Sequence, residues 1–148
     1  MKVSLNSFLF PDVNVWLAFV YERHIHHRQA FAWFASLRDD QRACLSRFTQ
    51  ISLLRLLTTE ALMRHEAMNQ KQAWSVYDNL LKDGRVAFLD EPVHIERAFR
   101  AFTQSLLPSP KLWADAYIMA FAKAANMTLV TFDRALKARV GDAILLQS

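Results

Sequence analysis

The sequence predicts an α/β fold in which helices cover both faces of a parallel sheet. Short apolar runs alternate with amphipathic segments along the 148 residues, and 53% of the residues are hydrophobic, which is enough for a packed core. Strands of a parallel sheet are buried on both faces and read as continuous apolar runs, with helices as the crossover connections. At this length, the simplest organisation is one domain that spans residues 1–148.

Short apolar runs predict the strands of a sheet with about four to five members. In chain order these runs are Phe8–Phe10, Ala43–Leu45, Val86–Leu89, Thr128–Thr131 and Ala143–Leu146.

Helical periodicity predicts the segments that flank the sheet. In chain order they are Val13–Tyr21, His27–Leu37, Thr49–Leu57, Met68–Lys82, Ile95–Ser105 and Leu112–Ala125. The Thr49–Leu57 segment is apolar on most sides, so we expect it to be largely buried. The Leu112–Ala125 segment is apolar throughout and is expected to be central. Gly84 ends one helix, and Pro108 and Pro110 break another.

Composition excludes several classes of function. Only 2 glycines occur, which excludes a glycine-rich phosphate loop or a dinucleotide fingerprint. Cys44 is the single cysteine, so an intramolecular disulfide or a cysteine zinc site is excluded, and its apolar neighbours predict a buried, unreactive thiol. The 18 basic residues outnumber the 14 acidic ones, which is compatible with a polyanionic partner.

The sequence also predicts a cytoplasmic protein that does not contact a membrane. No apolar run reaches the length of a membrane span. The Met1–Asn6 segment is too short and polar for the front of a secretory signal, and Asp12 interrupts the apolar residues that follow.

Three aspartates lie where predicted strands end or helices begin. Asp12 follows the first strand, Asp133 follows the fourth, and Asp115 lies in the first turn of an apolar helix. Each alone is explained by helix capping or by the helix dipole. In open α/β sheets, however, ligands bind at the carboxyl ends of the strands, and carboxylates there suit Mg²⁺ or Mn²⁺. Together they predict metal-assisted phosphodiester chemistry.

The motifs that contain these acids resemble those of PIN domains, and more narrowly those of VapC toxins from type II toxin–antitoxin modules. They are Asp12-Val13-Asn14, Trp113-Ala114-Asp115-Ala116 and Leu129-Val130-Thr131-Phe132-Asp133. The segments His24-Ile25-His26-His27 and Ser46-Arg47-Phe48-Thr49-Gln50 resemble one VapC branch. The resemblance implies a PIN-like domain with Mg²⁺-dependent endoribonuclease activity. It also implies an RNA substrate, a cognate antitoxin that holds the enzyme inactive, and a homodimer.

The resemblance further implies roles for individual residues. Asp12 and Asp115 would be the principal metal ligands, and Asp133 would complete the negative pocket or help to hold a second ion. Asn14 and Thr131 would orient these carboxylates by hydrogen bonds.

Basic residues near the opening of the predicted aspartate site are candidates for binding RNA phosphates. Arg55 and Arg134 are the main ones, and Lys137 and Arg139 are further candidates.

One position departs from the family pattern. Many PIN domains carry a fourth acid that would fall near Ser52 here, and the nearest downstream carboxylate is Glu60. On an unbroken helix Glu60 would lie about 12 Å beyond Ser52. It would reach the site only if the helix broke near Thr58 and Thr59, and otherwise it is a surface acid. The number of metal ions, one or two, stays open.

The histidines do not form a recognisable metal motif. His24, His26 and His27 have the spacing of neither a zinc finger nor a His-x-x-x-His helix site. We interpret them as a solvated helix start that contacts a partner or RNA. His65 and His94 are isolated and are expected on the surface.

Two alternatives remain open from the sequence. One is a PIN nuclease with a housekeeping role in RNA processing, which an antitoxin gene directly upstream would argue against. The other is a catalytically weak PIN-like module that binds RNA or protein. Calorimetry with Mg²⁺ or Mn²⁺ separates this module from the enzymes, because RNA binding without metal binding favours it.

Overall fold

The computed structural model of the chain describes residues 7–147, so the prediction for Met1–Asn6 lies outside it. Within this range five strands form one parallel sheet in the order β3-β2-β1-β4-β5. The strands are β1 (Phe8–Pro11), β2 (Arg42–Leu45), β3 (Val86–Phe88), β4 (Thr128–Thr131) and β5 (Ile144–Leu145). The predicted α/β class and parallel sheet are confirmed.

Strand β1 lies at the centre of the sheet. Leu9 pairs with Ala43 of β2 on one side and with Thr128 of β4 on the other. The backbone N–H of Asp12, directly after β1, donates to the carbonyl of Val130 at 2.9 Å. The carboxyl ends of β1 and β4 are therefore joined at one edge of the sheet.

Helices cover both faces of the sheet. Between residues 7 and 147 they are α1 (Val13–Val20), α2 (His27–Ala35), α3 (Arg47–Leu57), α4 (Glu60–Met63), α5 (Gln70–Leu81), α6 (Ile95–Phe102), α7 (Leu112–Ala124) and α8 (Arg134–Arg139), with a 3₁₀ turn at Arg64–Glu66.

Capping residues explain why two helices begin at residues other than those that the sequence predicted. Helix α3 begins at Arg47 and not at Thr49, because Ser46 and Thr49 form a capping box: each side chain accepts a hydrogen bond from the other's backbone N–H, at 3.2 and 2.7 Å. Helix α5 begins at Gln70 and not at Met68, because the Asn69 side chain caps it.

Two further helix predictions were wrong. Helix α6 ends at Phe102 and not at Ser105: Thr103 is its C-cap, with a non-helical φ of −110° and ψ of 19°. Helix α3 is not largely buried, since Ile51 is 55% exposed. Only a stripe that includes Leu53 faces the core.

Alternate residues of β1 enter separate hydrophobic cores on the two faces of the sheet, as strand geometry requires. Leu9 packs in the core beneath α1, α3 and α5, whereas Phe10 packs in the core beneath α7. The Phe10 ring stacks on Phe121 of α7, with centroids 4.8 Å apart. Helix α7 is central, as predicted. Cys44 is buried in this second core, as predicted, and burial raises its thiol pKa to about 12.

No helix within residues 7–147 is long and apolar enough to cross a membrane.

Arg85 ties the start of β3 to the end of α2. Its guanidinium donates to the Asp83 carboxylate at 3.2 and 3.3 Å and to the carbonyls of Phe34 and Leu37 at 3.3 and 3.4 Å. It also stacks 4.6 Å from the centre of the Phe34 ring. The hydrogen bonds from Arg85 hold the pKa of Asp83 below its usual 3.8.

We expect Asp83→Asn to lower the free energy of unfolding at neutral pH by less than about 1 kcal/mol, because the pair is partly exposed. The pKa of Asp83 is depressed in the folded state, so its stabilisation is complete above the usual value of 3.8 and is lost as pH falls through the folded value. Urea unfolding at several pH values measures this difference. Asp78→Asn, at an exposed carboxylate of α5, is the control. A stability difference between Asp83→Asn and the wild-type protein that persists unchanged at the lowest pH would contradict this account.

Candidate metal centre at the carboxyl ends of the strands

A cavity of about 340 Å³ lies at the carboxyl ends of β1 and β4 and brings the three predicted aspartates together. We call it the acid cavity. Its polar lining consists of Asp12, Asn14, Ser52, Arg55, Lys111, Asp115 and Asp133. Within residues 7–147, no three His, Cys, Asp or Glu side chains are close enough together to form a ready-made metal cage. The acids line a shared opening in which water can complete the coordination of a hard cation.

Both carboxylate oxygens of Asp12 accept hydrogen bonds. Oδ1 accepts hydrogen bonds from the backbone N–H groups of Asn14 and Val15 at 3.1 and 3.3 Å and thereby caps α1. Oδ2 accepts a hydrogen bond from the hydroxyl of Thr131. Burial raises the pKa of Asp12, its three hydrogen bonds oppose that rise, and the nearby charge of Asp133 adds to it. The helix-cap explanation of Asp12 therefore holds alongside its place in the acid cavity.

Thr131 connects two of the acids. It is fully buried at the end of β4. Its hydroxyl donates to Asp12 and accepts from the backbone N–H of Asp133 at 2.9 Å. The orienting role expected of Thr131 fits this geometry. Asn14 differs, since it contacts Asp12 through its backbone and not through its side chain.

Asp133 and Asp115 have different surroundings. Asp133 is exposed and caps α8, with Oδ1 accepting from the N–H groups of Ala135 and Leu136 at 2.8 and 3.3 Å. Asp115 is partly buried in the first turn of α7. Nothing in the described part of the chain forms a hydrogen bond or an ion pair with its carboxylate. Both oxygens of Asp115 are therefore available to a cation.

Of the four predicted basic residues, only Arg55 lines the acid cavity. Arg134 is exposed on α8 and is not among the lining residues. Lys137 donates to the carbonyl of Gly141 at 2.6 Å, and Arg139 donates to the carbonyl of Phe102 at 3.4 Å. These three residues do not line the acid cavity, and their role in binding RNA stays a prediction.

Lys111 is a lining residue that the sequence analysis missed. It precedes α7 and lies four positions before Asp115, one helical turn away. That spacing was a usable signal, since residues four apart share a helix face.

Ser52 lines the acid cavity, and Glu60 does not. The helix break that would let Glu60 approach does exist, because α3 ends at Leu57, and the hydroxyls of Thr58 and Thr59 donate to carbonyls of its last turn. The chain beyond the break leads Glu60 to an exposed position at the start of α4. The surface alternative for Glu60 therefore agrees with the structure.

The histidine segment is less solvated than expected. His24, His26 and His27 are all partly buried. His27 Nδ1 lies 2.7 Å from the carbonyl oxygen of Ala18 and joins α2 to α1 by a hydrogen bond. His65 and His94 are exposed, as predicted.

Comparison with known proteins gives consistent matches. A sequence model of the PIN domain family matches residues 9–141. Ribonuclease VapC41 of Mycobacterium tuberculosis, in two strains, is 37% identical over 131 residues, covering 86% of this chain and 90% of the relative.

Solved structures share the fold. VapBC2 from Rickettsia felis, bound to a DNA fragment from its promoter, has a TM-score of 0.68 at 17% identity, covering 95% of this chain and 98% of that one. VapC20 of Mycobacterium tuberculosis, a Sarcin-Ricin loop cleaving toxin, has a TM-score of 0.65 at 16% identity, covering 89% and 95%. VapBC-1 from nontypeable Haemophilus influenzae has a TM-score of 0.67 at 17% identity, covering 95% and 97%.

We expect Asp12→Asn to raise the free energy of unfolding of the metal-free protein at neutral pH. The pKa of Asp12 is raised in the folded state, so its ionisation costs stability as pH rises through the folded value, and no cost remains below the usual 3.8. Urea unfolding in the presence of a chelator measures the gain, which should fade in acid. Asp133→Asn, at an exposed carboxylate of the same cavity, is the comparison variant. A lower free energy of unfolding for Asp12→Asn than for the wild-type protein at neutral pH would contradict the claim that burial of the charged Asp12 costs stability.

Proposed function

This chain belongs to the PIN domain family, as its sequence motifs predicted, and on that premise we propose that it is a divalent-metal-dependent endoribonuclease, the toxin of a VapBC-type module. The observation that carries the proposal is the single cavity that contains Asp12, Asp115 and Asp133 at the carboxyl ends of parallel strands. The relative named Ribonuclease VapC41 supports RNA as the substrate.

The donor set of the acid cavity fits Mg²⁺ or Mn²⁺. Carboxylate oxygens are the ligands that hard cations prefer, and Mg²⁺ keeps several waters when few protein ligands reach it. Asp12 and Asp115 would hold the ion and Asp133 would complete the site. A divalent ion there supplies the Lewis acidity that activates water and offsets charge on the phosphate.

The surrounding residues of the chain orient the ligands and bind the substrate. Thr131 fixes the Asp12 carboxylate, since it donates to one oxygen while backbone N–H groups hold the other. Arg55 and Lys111 add positive charge to the same cavity. They would bind RNA phosphates near the acids and reduce repulsion between the polyanion and the three carboxylates.

The proposed partners are a cognate antitoxin and a second copy of the chain. VapBC complexes among the solved structures support an antitoxin. Large apolar side chains remain exposed on α3 and α5, where Ile51 is 55% and Trp74 is 47% exposed, and both line a groove of about 300 Å³ between these helices. A protein partner would bury this surface. Light scattering at micromolar concentration tests the homodimer.

A catalytically weak RNA-binding module is the second candidate. The observation that favours it is Ser52, a neutral side chain at the cavity wall where the family pattern has an acid. Calorimetry separates the two functions, because the enzyme requires binding of Mg²⁺ or Mn²⁺ and the module does not.

We expect Asp115→Asn to abolish RNA cleavage while the protein stays folded. Asp115 has no hydrogen bond in the described chain to lose, so the substitution removes a metal ligand without removing a structural contact. Asp12→Asn should also abolish cleavage. Mapping of RNA ends after expression in a bacterium, or with purified protein in Mg²⁺, measures the effect. Asp78→Asn is the control at an exposed carboxylate. RNA cleavage by the Asp115→Asn protein at the wild-type level would contradict the proposed metal site.

We expect Ser52→Glu to tighten binding of Mg²⁺ or Mn²⁺ by adding a fourth carboxylate to the cavity wall. Glu60→Gln should leave metal binding unchanged and alter stability by less than about 0.5 kcal/mol, because Glu60 is exposed. Calorimetry on the folded variants measures both. Weaker metal binding by Ser52→Glu, or a strong loss of metal binding with Glu60→Gln, would show that the residues around the metal site are wrongly assigned.

A further inference from the structure

A second, larger cavity adjoins the acid cavity. It has a volume of about 740 Å³, within the ~300–1,000 Å³ of ordinary ligand sites. Asn14 and Asp133 line both cavities, so the two are adjacent. Three histidines, His24, His26 and His65, lie in its wall, and we call it the histidine cavity.

Three rings form a row along this wall. His26 stacks on Phe132, with ring centroids 4.8 Å apart and planes inclined by 25°. His24 continues the row, 5.6 Å from His26. Phe132 immediately precedes Asp133, so the row starts beside the proposed metal site. Such rows of partly exposed rings are the platforms on which unpaired bases stack in proteins that bind single strands.

His24 also offers a hydrogen-bond donor. Its Nδ1 accepts from the backbone N–H of His26 at 3.0 Å, so the neutral ring carries its proton on Nε2. Burial, with smaller contributions from His26 and His27, lowers the pKa of His24 and favours this neutral form. A neutral donor of this kind suits the edge of a base and not a phosphate.

Arg64 supplies the free positive charge of the histidine cavity. Arg23, the other arginine in the lining, is paired with Glu66 at 3.4 Å, and Glu66 also accepts from the hydroxyl of Tyr21. Within residues 7–147 no carboxylate or carbonyl engages the Arg64 guanidinium. Its backbone has φ 55°, which an L-residue rarely adopts. Strain of this kind clusters at functional sites.

We propose that the histidine cavity binds an unpaired nucleotide next to the phosphate that is cleaved, with its base on the His24, His26 and Phe132 rings and its phosphate on Arg64. The inference rests on the proposed ribonuclease function and adds to it the site that selects single-stranded RNA. Adjacency to the acid cavity, the row of rings and the unpaired guanidinium favour a nucleotide over a protein segment.

The test measures binding of a short, labelled, single-stranded RNA of mixed sequence in a chelator, where cleavage cannot occur. His26→Ala and Phe132→Leu should raise Kd by at least about fivefold, as expected for loss of base stacking. His94→Ala and Phe31→Leu, at exposed rings outside the cavity, are the matched controls. His26→Phe keeps a stacking ring and should restore the affinity.

Arg64→Gln should weaken binding of all RNA sequences and lower the slope of log Kd against log salt by about one. Arg97→Gln, at an exposed arginine of α6, is its control. With Mg²⁺ present, the His26 and Phe132 variants should raise KM while kcat changes little. A mere loss of structure would lower both stability and kcat.

Three outcomes would overturn the inference. The first is a wild-type protein that does not bind the RNA. The second is unchanged Kd and KM in both ring variants. The third is loss of cognate-antitoxin binding in those variants with RNA binding intact, which would assign the cavity to the protein partner. Failure of the wild-type protein to cleave, with ring-dependent binding retained, would instead overturn the proposed nuclease function alone.

Discussion

The Thr131 hydroxyl holds the candidate site together. It lies fully buried at the end of β4, donates to Asp12 after β1 and accepts from the backbone of Asp133. Both acids follow neighbouring parallel strands, so pairing of β1 with β4 places them at one edge, and this hydroxyl fixes their orientation. Asp12 is thus a carboxylate whose burial is only partly offset by three hydrogen bonds, a setting that a cation would complete.

The hydrophobic pattern of the sequence and the positions of its aspartates made the fold and the acid cavity predictable. Each core strand is a continuous apolar run because both of its faces are covered, and Asp12 and Asp133 come just after two of those runs. The carboxyl ends of parallel strands meet at one edge, so Asp12 and Asp133 had to be near neighbours. Asp115 was placed by its motif and by its position in the first turn of α7.

Features set by tertiary geometry were less predictable. Helix α4 is a single short turn after the Thr58–Thr59 break, and its sequence carries no periodicity long enough to detect. Arg134 directly follows Asp133 in the sequence, yet it does not line the acid cavity, which sequence spacing alone does not indicate. The stacking of His26 on Phe132 joins residues 106 positions apart, a contact that only the packed fold creates.

The central claim is that these aspartates hold a divalent cation, and a crystal grown with Mn²⁺ tests it most directly. Anomalous diffraction locates Mn²⁺ without any assumption about activity. The account predicts one strong peak in the acid cavity, between the carboxylates of Asp12 and Asp115, and no peak there in the Asp115→Asn protein. An empty acid cavity in the wild-type crystal, or a Mn²⁺ peak unaffected by Asp115→Asn, would contradict it.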